Sequence, residues 1–214
     1  MIITYIGKQF FKIQQGDLVI ACNPLSKESK YSSAVPKFGS NVVLSTINHP
    51  DYNGISTVTY GDTEPFFING PGDYEVQNVF VKGIGTETTI ENKKYINTVY
   101  SLLLDDIKIV FLGYISSEKI SADVKEVIHS ADVIFVPIGG NDELDPSAAY
   151  KLAQSLESKI IIPMEYGKGS EKDALKIFLK QGGEEGMKPV EKLTLKKKDL
   201  LDKTGSIVVL SSTL

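Results

Sequence analysis

The sequence predicts an α/β fold in which two packed β-sheets are covered by helices. The first half of the chain consists of short apolar or alternating segments separated by turns, the pattern of a β-meander. The second half, after Gly113, alternates helical and strand-like segments. Because no linker or low-complexity segment separates the two halves, we expect a single domain over residues 1–214.

The first half is predicted to be rich in short strands. The turn sequences GKQ and QGD separate three of them, at Ile2–Ile6, Phe10–Gln14 and Leu18–Cys22. A polar loop covers Leu25–Ser40, and loops of this length are often functional. The buried strand Asn41–Thr46 follows this loop. The remaining strands of this half are predicted at Pro65–Ile68, Tyr74–Val76, Val79–Lys82, Val99–Leu104 and Lys108–Leu112.

The second half contains three segments with apolar residues at helical spacing. We predict helices at about Ser121–Ser130, Pro146–Glu157 and Lys172–Lys180, the second opened by an Asp-Pro start signal. The strand segments VIFVPI and KIIIPM are apolar on both sides, as expected when a strand lies between another sheet and a helix layer. The sequences VEKLTL and SIVVLSS are predicted to close the chain as strands.

Composition and charge exclude several classes of protein. The 214 residues are 42% hydrophobic and carry a net charge of −4, which disfavours a nucleic acid or an anionic membrane as partner. The apolar segments are shorter than the roughly 18 residues of a membrane helix, and the N-terminus has no signal-peptide pattern. We therefore expect a cytoplasmic protein whose partner is a small molecule or another protein, with a homo-oligomer left open.

Six short motifs follow one another along most of the chain. They read YIGKQFFKI, ACNPLSKES, GPGDYEV, LGY, VPIGG and PMEYG. In this order they resemble landmarks of the metallo-β-lactamase fold superfamily, within it the compact single-domain hydrolases related to the L-ascorbate-6-phosphate lactonases. The corresponding family motifs are GHSxFxI, a strand ending in Asp-Pro, GPGEYEI, LGD, VPVGG and PMHYG. The resemblance implies an αββα four-layer sandwich of two mixed β-sheets.

The same resemblance locates the positions at which that family binds two zinc ions. Its HxHxDH loop corresponds to TINHPDYNG, and one further His, the Asp of LGD and the His of PMHYG complete the set. Near the further His, which corresponds to Thr88, the sequence is shortened, so that Glu87 is the neighbouring alternative. Lys8 stands where the family has the His of GHS. The seven ligand positions correspond to Ile47, His49, Asp51, Tyr52, Thr88, Tyr114 and Glu165.

Two interpretations follow from these changes. Only His49 and Asp51 keep their ligand type, and zinc affinity depends on the whole ligand set, so we expect the dinuclear site to be lost. The first interpretation is a pseudoenzyme without cofactor or catalytic residue that binds a small ligand or a partner. The alternative is a hydrolase of a lactone, ester or phosphodiester, with one weakly bound zinc or manganese ion on His49, Asp51 and Glu165.

Tyrosines give the predicted site an aromatic character. Tyr52, Tyr114 and Tyr166 either fill the volume that metals and waters would occupy or recognise a small planar ligand, and filling is the favoured interpretation. Because the fold brings the strand ends to one place whatever side chains they carry, we also expect a concave pocket there.

Overall fold

The computed structural model describes residues 1–61, 64–167 and 169–214, which form two β-sheets and three α-helices. The strands are β1 (Ile2–Gly7), β2 (Phe10–Gln15), β3 (Leu18–Cys22), β4 (Val42–Leu44), β5 (Phe66–Ile68), β6 (Gly72–Val76), β7 (Val79–Ile90), β8 (Lys93–Leu104), β9 (Ile107–Phe111), β10 (Val133–Pro137), β11 (Ile160–Met164), β12 (Leu193–Thr194) and β13 (Ser206–Ile207). The helices are α1 (Ala122–Ile128), α2 (Pro146–Ser155) and α3 (Ala174–Gln181).

Both sheets are mixed, which confirms the predicted fold class. The first sheet has the order β12-β1-β2-β3-β4-β5, antiparallel from β12 to β3 and parallel from there to β5. The second has the order β13-β11-β10-β9-β8-β7-β6, parallel from β13 to β9 and antiparallel beyond. In each sheet the loops after neighbouring parallel strands therefore meet at one edge.

The main core lies between the sheets and is built by alternation along each strand. On β10, Val133 and Phe135 face the first sheet, whereas Ile134 and Val136 pack under the helices. The ring of Phe135 lies 4.6 Å from that of Phe11, centroid to centroid, across the sandwich. Strands buried on both faces lose all contact with water, which accounts for the uninterrupted apolar sequence from which β10 and β11 were predicted.

The outer layers differ between the two sheets. All three helices form at the predicted places and pack on the second sheet; Asp145 caps α2 by accepting hydrogen bonds from two backbone amides of its first turn. The first sheet is covered by the chain between residues 25 and 60, whose 3-10 turns Ser32–Ala34 and Ile55–Thr57 accompany apolar side chains packed on Phe10 and Val43. Within the described ranges no helix is long and apolar enough to cross a membrane.

The hairpin of β7 and β8 is longer than the sequence predicts. Each strand has 12 residues, and the turn at Glu91 and Asn92 has positive φ angles of 48° and 65°, as in the tight turns of hairpins. The sequence predicts a strand only over Val79–Lys82, and Gly83 follows it. A Cβ at Gly83 would lie 2.9 Å from the Tyr100 ring, so glycine allows close packing of the two strands here.

Candidate functional site

The loops that follow β1 and β11 meet at one edge of the sandwich and place Lys8 beside Glu165. Both residues have left-handed backbones, with φ angles of 56° and 63°. The carbonyl of Lys8 accepts hydrogen bonds from the Glu165 amide and from the Tyr5 hydroxyl, each 2.7 Å long. This backbone link holds the two loops together and brings the ammonium of Lys8 into an ion pair with Oε1 of Glu165.

This ion pair is buried. The side chains of Lys8 and Glu165 are 11% and 4% exposed. Burial alone would lower the pKa of Lys8, but the adjacent Glu165 carboxylate outweighs it and the pKa is raised. Burial raises the pKa of Glu165, and Lys8 opposes that effect. The ammonium is therefore held in its charged form, as a fixed positive charge at this edge of the sandwich.

A second buried carboxyl group, that of Glu143, lies next to the pair. It accepts hydrogen bonds from the Gln9 side chain at 2.9 Å and from the Gly139 amide at 3.2 Å. The pKa of Glu143 is raised well above its ordinary value, mainly by burial and to a smaller extent by the charge of Glu165. A Cβ at Gly139 would lie 2.6 Å from Glu143 Oε2 and 2.7 Å from Glu165 Cγ, so glycine is what allows the two carboxyl groups to flank this loop.

Asparagine and glutamine side chains connect this cluster to the loops of the first sheet. Asn23 follows β3 and donates to Gln9 Oε1 at 3.0 Å and to Thr46 Oγ1 at 2.9 Å. In return its own oxygen accepts from the Thr46 amide at 2.8 Å. Sequence reasoning missed Gln9, Asn23 and Glu143 as site residues. Their position in the loops that follow β1, β3 and β10, in the motifs GKQ, ACNP and GGNDE, is the signal that could have identified them.

An aromatic cluster fills the space beside the ion pair. Ile47, Tyr52 and Tyr114 are buried and pack with Ile90, and Tyr95 flanks them. The rings of Tyr52 and Tyr114 lie 5.7 Å apart in an edge-on arrangement. The Tyr52 hydroxyl makes a long contact of 3.5 Å to Glu165 Oε2. Burial raises the pKa of both phenols, and nearby carboxylates raise it further, so the two hydroxyls stay protonated.

The remaining predicted positions lie at the margin of this cluster. The His49 ring is 5.7 Å from that of Tyr52, and its Nδ1 accepts a hydrogen bond from the Asp51 amide. Asp51 Oδ1 accepts from the Ser29 hydroxyl at 2.5 Å. Thr88 lies on β7 opposite Tyr95 and is buried, and its hydroxyl has no hydrogen-bond partner within the described residues. Its neighbour Glu87 lies on the exposed face of the strand.

An open cavity of about 270 Å³ is lined by Lys8 and adjoins the buried ion pair. Tyr166 lies here and not among the other tyrosines: its hydroxyl donates to the Leu210 carbonyl, and its ring is 5.2 Å from that of Tyr5. The predicted positions are thus grouped at one edge, where Ile47, Tyr52, Tyr114 and Glu165 fill the space with their own side chains. The opening to solvent lies beside them. Its lining includes Gly7, Lys8, Tyr31, Ser33, Tyr166 and Gly167.

Comparison with known families assigns the chain. A protein-family model for the β-lactamase superfamily domain matches residues 2–165. The chain belongs to this family. Among solved structures it is similar to a candidate zinc-dependent hydrolase of the metallo-β-lactamase superfamily from Thermotoga maritima. The two share 26% identity and a TM-score of 0.73, and the alignment covers 98% of this chain and 97% of that one.

Two further structures share the fold of this β-lactamase superfamily member. One is a candidate metal-dependent hydrolase from Parabacteroides distasonis, with 17% identity, a TM-score of 0.66 and coverage of 98% and 92%. The other is a metallo-β-lactamase fold protein from Bacillus subtilis, with 11% identity, a TM-score of 0.63 and coverage of 99% and 96%. No curated protein is significantly similar to the sequence.

The β-lactamase superfamily fold implies a metal site at this edge, but the donor groups do not fit one. The best-placed carboxylate, Glu165, is paired with the ammonium of Lys8, and a cation already bonded there opposes a metal ion. Tyr52 and Tyr114, which the sequence resemblance matches to ligand positions, present protonated hydroxyls. Across the described parts of the chain, no three His, Cys, Asp or Glu side chains are grouped to hold a metal ion.

Proposed function

We propose that this β-lactamase superfamily member is a non-catalytic protein that binds a small ligand or a partner without a metal cofactor. The buried ion pair of Lys8 and Glu165 carries this proposal. In place of a metal ion, the site has a covalently attached positive charge. An ammonium attracts an anion as a metal does, but it has no coordination position at which water could be activated.

The other side chains at this edge do not replace the missing nucleophile. A general base must be ionised and free to accept a proton. Glu165 is engaged by Lys8, while the raised pKa of Glu143 favours its protonated, non-basic form. Tyr52 and Tyr114 are likewise held as neutral phenols. The arrangement therefore supports recognition and does not support hydrolysis.

Metal content and hydrolytic activity test this proposal together. We expect purified protein, dialysed after incubation with zinc and with manganese, to keep less than about a tenth of an equivalent of either metal, because most ligand positions carry unsuitable groups. Hydrolysis of p-nitrophenyl acetate and bis(p-nitrophenyl) phosphate should equal the rate without protein. One or two tightly held metal ions per chain, with turnover of either substrate, would overturn the proposal.

One observation favours the alternative of a single-metal hydrolase. His49 and Asp51 are partly exposed at the margin of the site, and similar proteins are named as metal-dependent hydrolases. For these residues to bind a metal together with Glu165, the carboxylate would have to leave Lys8 and Asp51 would have to leave Ser29. Stoichiometric metal that is lost in both His49→Ala and Asp51→Ala variants would establish this alternative.

A further inference from the structure

We propose that the cavity beside Lys8 binds a small organic monoanion, an aromatic carboxylate, through the Lys8 ammonium and the Ser33 hydroxyl. This inference rests on the proposed function, because it names the ligand chemistry of the same edge of the sandwich. Lys8 lies at the boundary between two environments: its ammonium is paired with Glu165 on the buried side, and it also lines the cavity. An ammonium has three N–H donors, so the contact with Glu165 leaves donors for a ligand.

The charge of the cavity selects an anion with one negative charge. Among the described side chains that line it, that of Lys8 is the one with a charge. On the buried side, Glu165 forms the ion pair with Lys8. The nearby Glu143 carboxyl group accepts hydrogen bonds from the Gln9 side chain and the Gly139 amide. A carboxylate can therefore approach the ammonium from the cavity without meeting an acidic side chain of the described lining, whereas a dianion would find a single cation for its two charges.

Several hydrogen-bond donors line the cavity. The hydroxyls of Tyr166 and Ser212 donate to backbone carbonyls, those of Leu210 and Ile6, so they are already engaged. The hydroxyl of Ser33, on an exposed residue of the cavity wall, is used in no hydrogen bond within the described chain. Lys8 and Ser33 thus offer the donors that the two oxygens of a carboxylate require.

The walls and the size of the cavity fit an aromatic body. The ammonium of Lys8 lies 4.9 Å from the centre of the Tyr31 ring, and the ring of Tyr166 also lines the cavity. Aromatic faces of this kind provide stacking area for a planar ligand. The volume of about 270 Å³ has room for roughly nine groups of the size of a water molecule. Benzoate, with its ring and carboxylate, has this number of non-hydrogen atoms.

Binding of benzoate to the full chain tests the proposal. We expect benzoate to shift the backbone amide signals of Gly7, Lys8, Ser33 and Gly167 in nuclear magnetic resonance spectra, in a saturable manner below about 10 mM. Benzamide, a neutral molecule of the same shape, should bind at least about tenfold more weakly, because it lacks the charge that pairs with Lys8. Inorganic phosphate serves as the dianionic probe and should not compete with benzoate.

Two pairs of variants locate the binding site. Ser33→Asp places a negative charge on the cavity wall without altering the buried ion pair and should weaken benzoate binding at least about tenfold. Ser32→Asp is its matched control, since Ser32 lines a different cavity, and should bind benzoate like the wild type. The double variant Lys8→Met/Glu165→Gln removes both charges and should abolish binding. Its control is Lys12→Met, because Lys12 also lies 4.9 Å from a ring, that of Phe38, but outside this cavity.

Three results would overturn the proposal. They are the absence of saturable benzoate binding, equal affinity for benzamide, and equal effects of Ser33→Asp and Ser32→Asp. Failure here is distinguishable from failure of the proposed function, which is decided by metal content and hydrolysis. A metal-free, inactive chain that ignores benzoate removes only this inference, whereas a metal-loaded hydrolase removes the proposed function whatever benzoate does.

Discussion

Two lysine–carboxylate clusters lie at opposite ends of the parallel strands of the second sheet. At the start of β10, Asp132 accepts from Lys159 at 2.7 Å and from Lys197 at 2.8 Å, and these lysines are 38% and 50% exposed. At the end of β11, Lys8 faces Glu165 and the nearby Glu143, and it is 11% exposed. Within the described residues, the first cluster has two solvent-exposed lysines for one buried carboxyl group, whereas the second has one largely buried lysine for two buried carboxyl groups.

The two clusters shift the pKa of their carboxyl groups in opposite directions. At Asp132, burial raises the pKa, but the hydrogen bonds from the two lysines outweigh it and the pKa is lowered. At Glu143, burial and the charge of Glu165 together raise the pKa. The Asp132 cluster is therefore typical of an ion-pair network that stabilises a fold. In the Lys8 cluster, by contrast, charged groups lie in a buried environment that disfavours their ionised forms. Such groups are concentrated at functional sites.

The largest effect is expected when the Lys8 cluster is rebuilt as a metal site. We expect a variant with the family's ligand set to bind about one or two equivalents of zinc and to lose stability, because polar groups replace packed phenols. Elemental analysis after dialysis measures the gain. The set is Ile47→His, Tyr52→His, Thr88→His, Tyr114→Asp and Glu165→His, made with and without Lys8→His.

The version that retains Lys8 is the control for its charge and should bind less zinc than the version without it. If the complete variant folds but takes up no metal, the residue match is out of register, with Thr88 the first position to re-examine, or the cleft is closed to metal. In that event the family relationship would inform the fold and not the site.

Removing single lysines compares the two clusters directly. Lys8→Met leaves Glu165 buried without a counter-charge, and we expect a loss of about 3–5 kcal/mol in the free energy of unfolding. Lys159→Met, at the Asp132 cluster, should cost less than about 1 kcal/mol. Lys197 remains paired with Asp132, and solvent screens the charges of the exposed lysines. Urea-induced unfolding followed by circular dichroism gives both values. Equal losses would show that the burial of Lys8 has no energetic consequence.

The pH dependence of stability tests the raised pKa of Glu143. Its pKa is raised in the folded protein, so its contribution is fully present below the unfolded value near 4.5 and is lost as the pH rises through the folded pKa. Glu143→Gln does not ionise, and we expect its stability relative to wild type to improve as the pH rises from 5 to 8. Urea unfolding at both pH values measures this. The exposed control Glu157→Gln should show no such trend.

The stability contribution of Asp132 should show the opposite pH dependence. Because its pKa is lowered on folding, its stabilising contribution is present above the ordinary value near 3.8 and is lost as the pH falls through the folded value. We expect Asp132→Asn to cost about 1 kcal/mol at pH 7, after allowing for solvent screening. Thermal unfolding at pH 7 and at pH 3 checks that the difference from wild type shrinks in acid. An undiminished difference would assign the effect to packing.

Most of the fold could be predicted because its signals are local. Strands β10 and β11 are apolar on both faces, and the Asp-Pro sequence before α2 marks a helix start that the structure confirms through the Asp145 cap. The extent of β7 and β8 could not be predicted, since Gly83 and the polar residues after it do not alternate like a half-buried strand. Their pairing depends on contacts with the partner strand, which a local pattern does not contain.

The site was less predictable, for the same physical reason. The family resemblance located Glu165 and Lys8, but it gave no sign that the two side chains pair. Gln9 and Glu143 are 134 residues apart along the chain, and their hydrogen bond depends on the folded arrangement of both sheets. Residue types can be read from the sequence one at a time, whereas burial and distance decide what a lysine next to two carboxyl groups does.

The backbone link at Lys8 has a consequence for the order of folding. The contact between Glu165 and Tyr5 that accompanies it spans 160 residues of the chain. Contacts between residues so far apart require the closure of a large loop, which costs chain entropy before any contact compensates for it. The hairpins of the first half and the β10–β11 pair involve much shorter loops. The proposed ligand-binding edge is therefore expected to assemble late, together with the pairing of β1 with β12, where the contact between Met1 and Leu195 spans 194 residues.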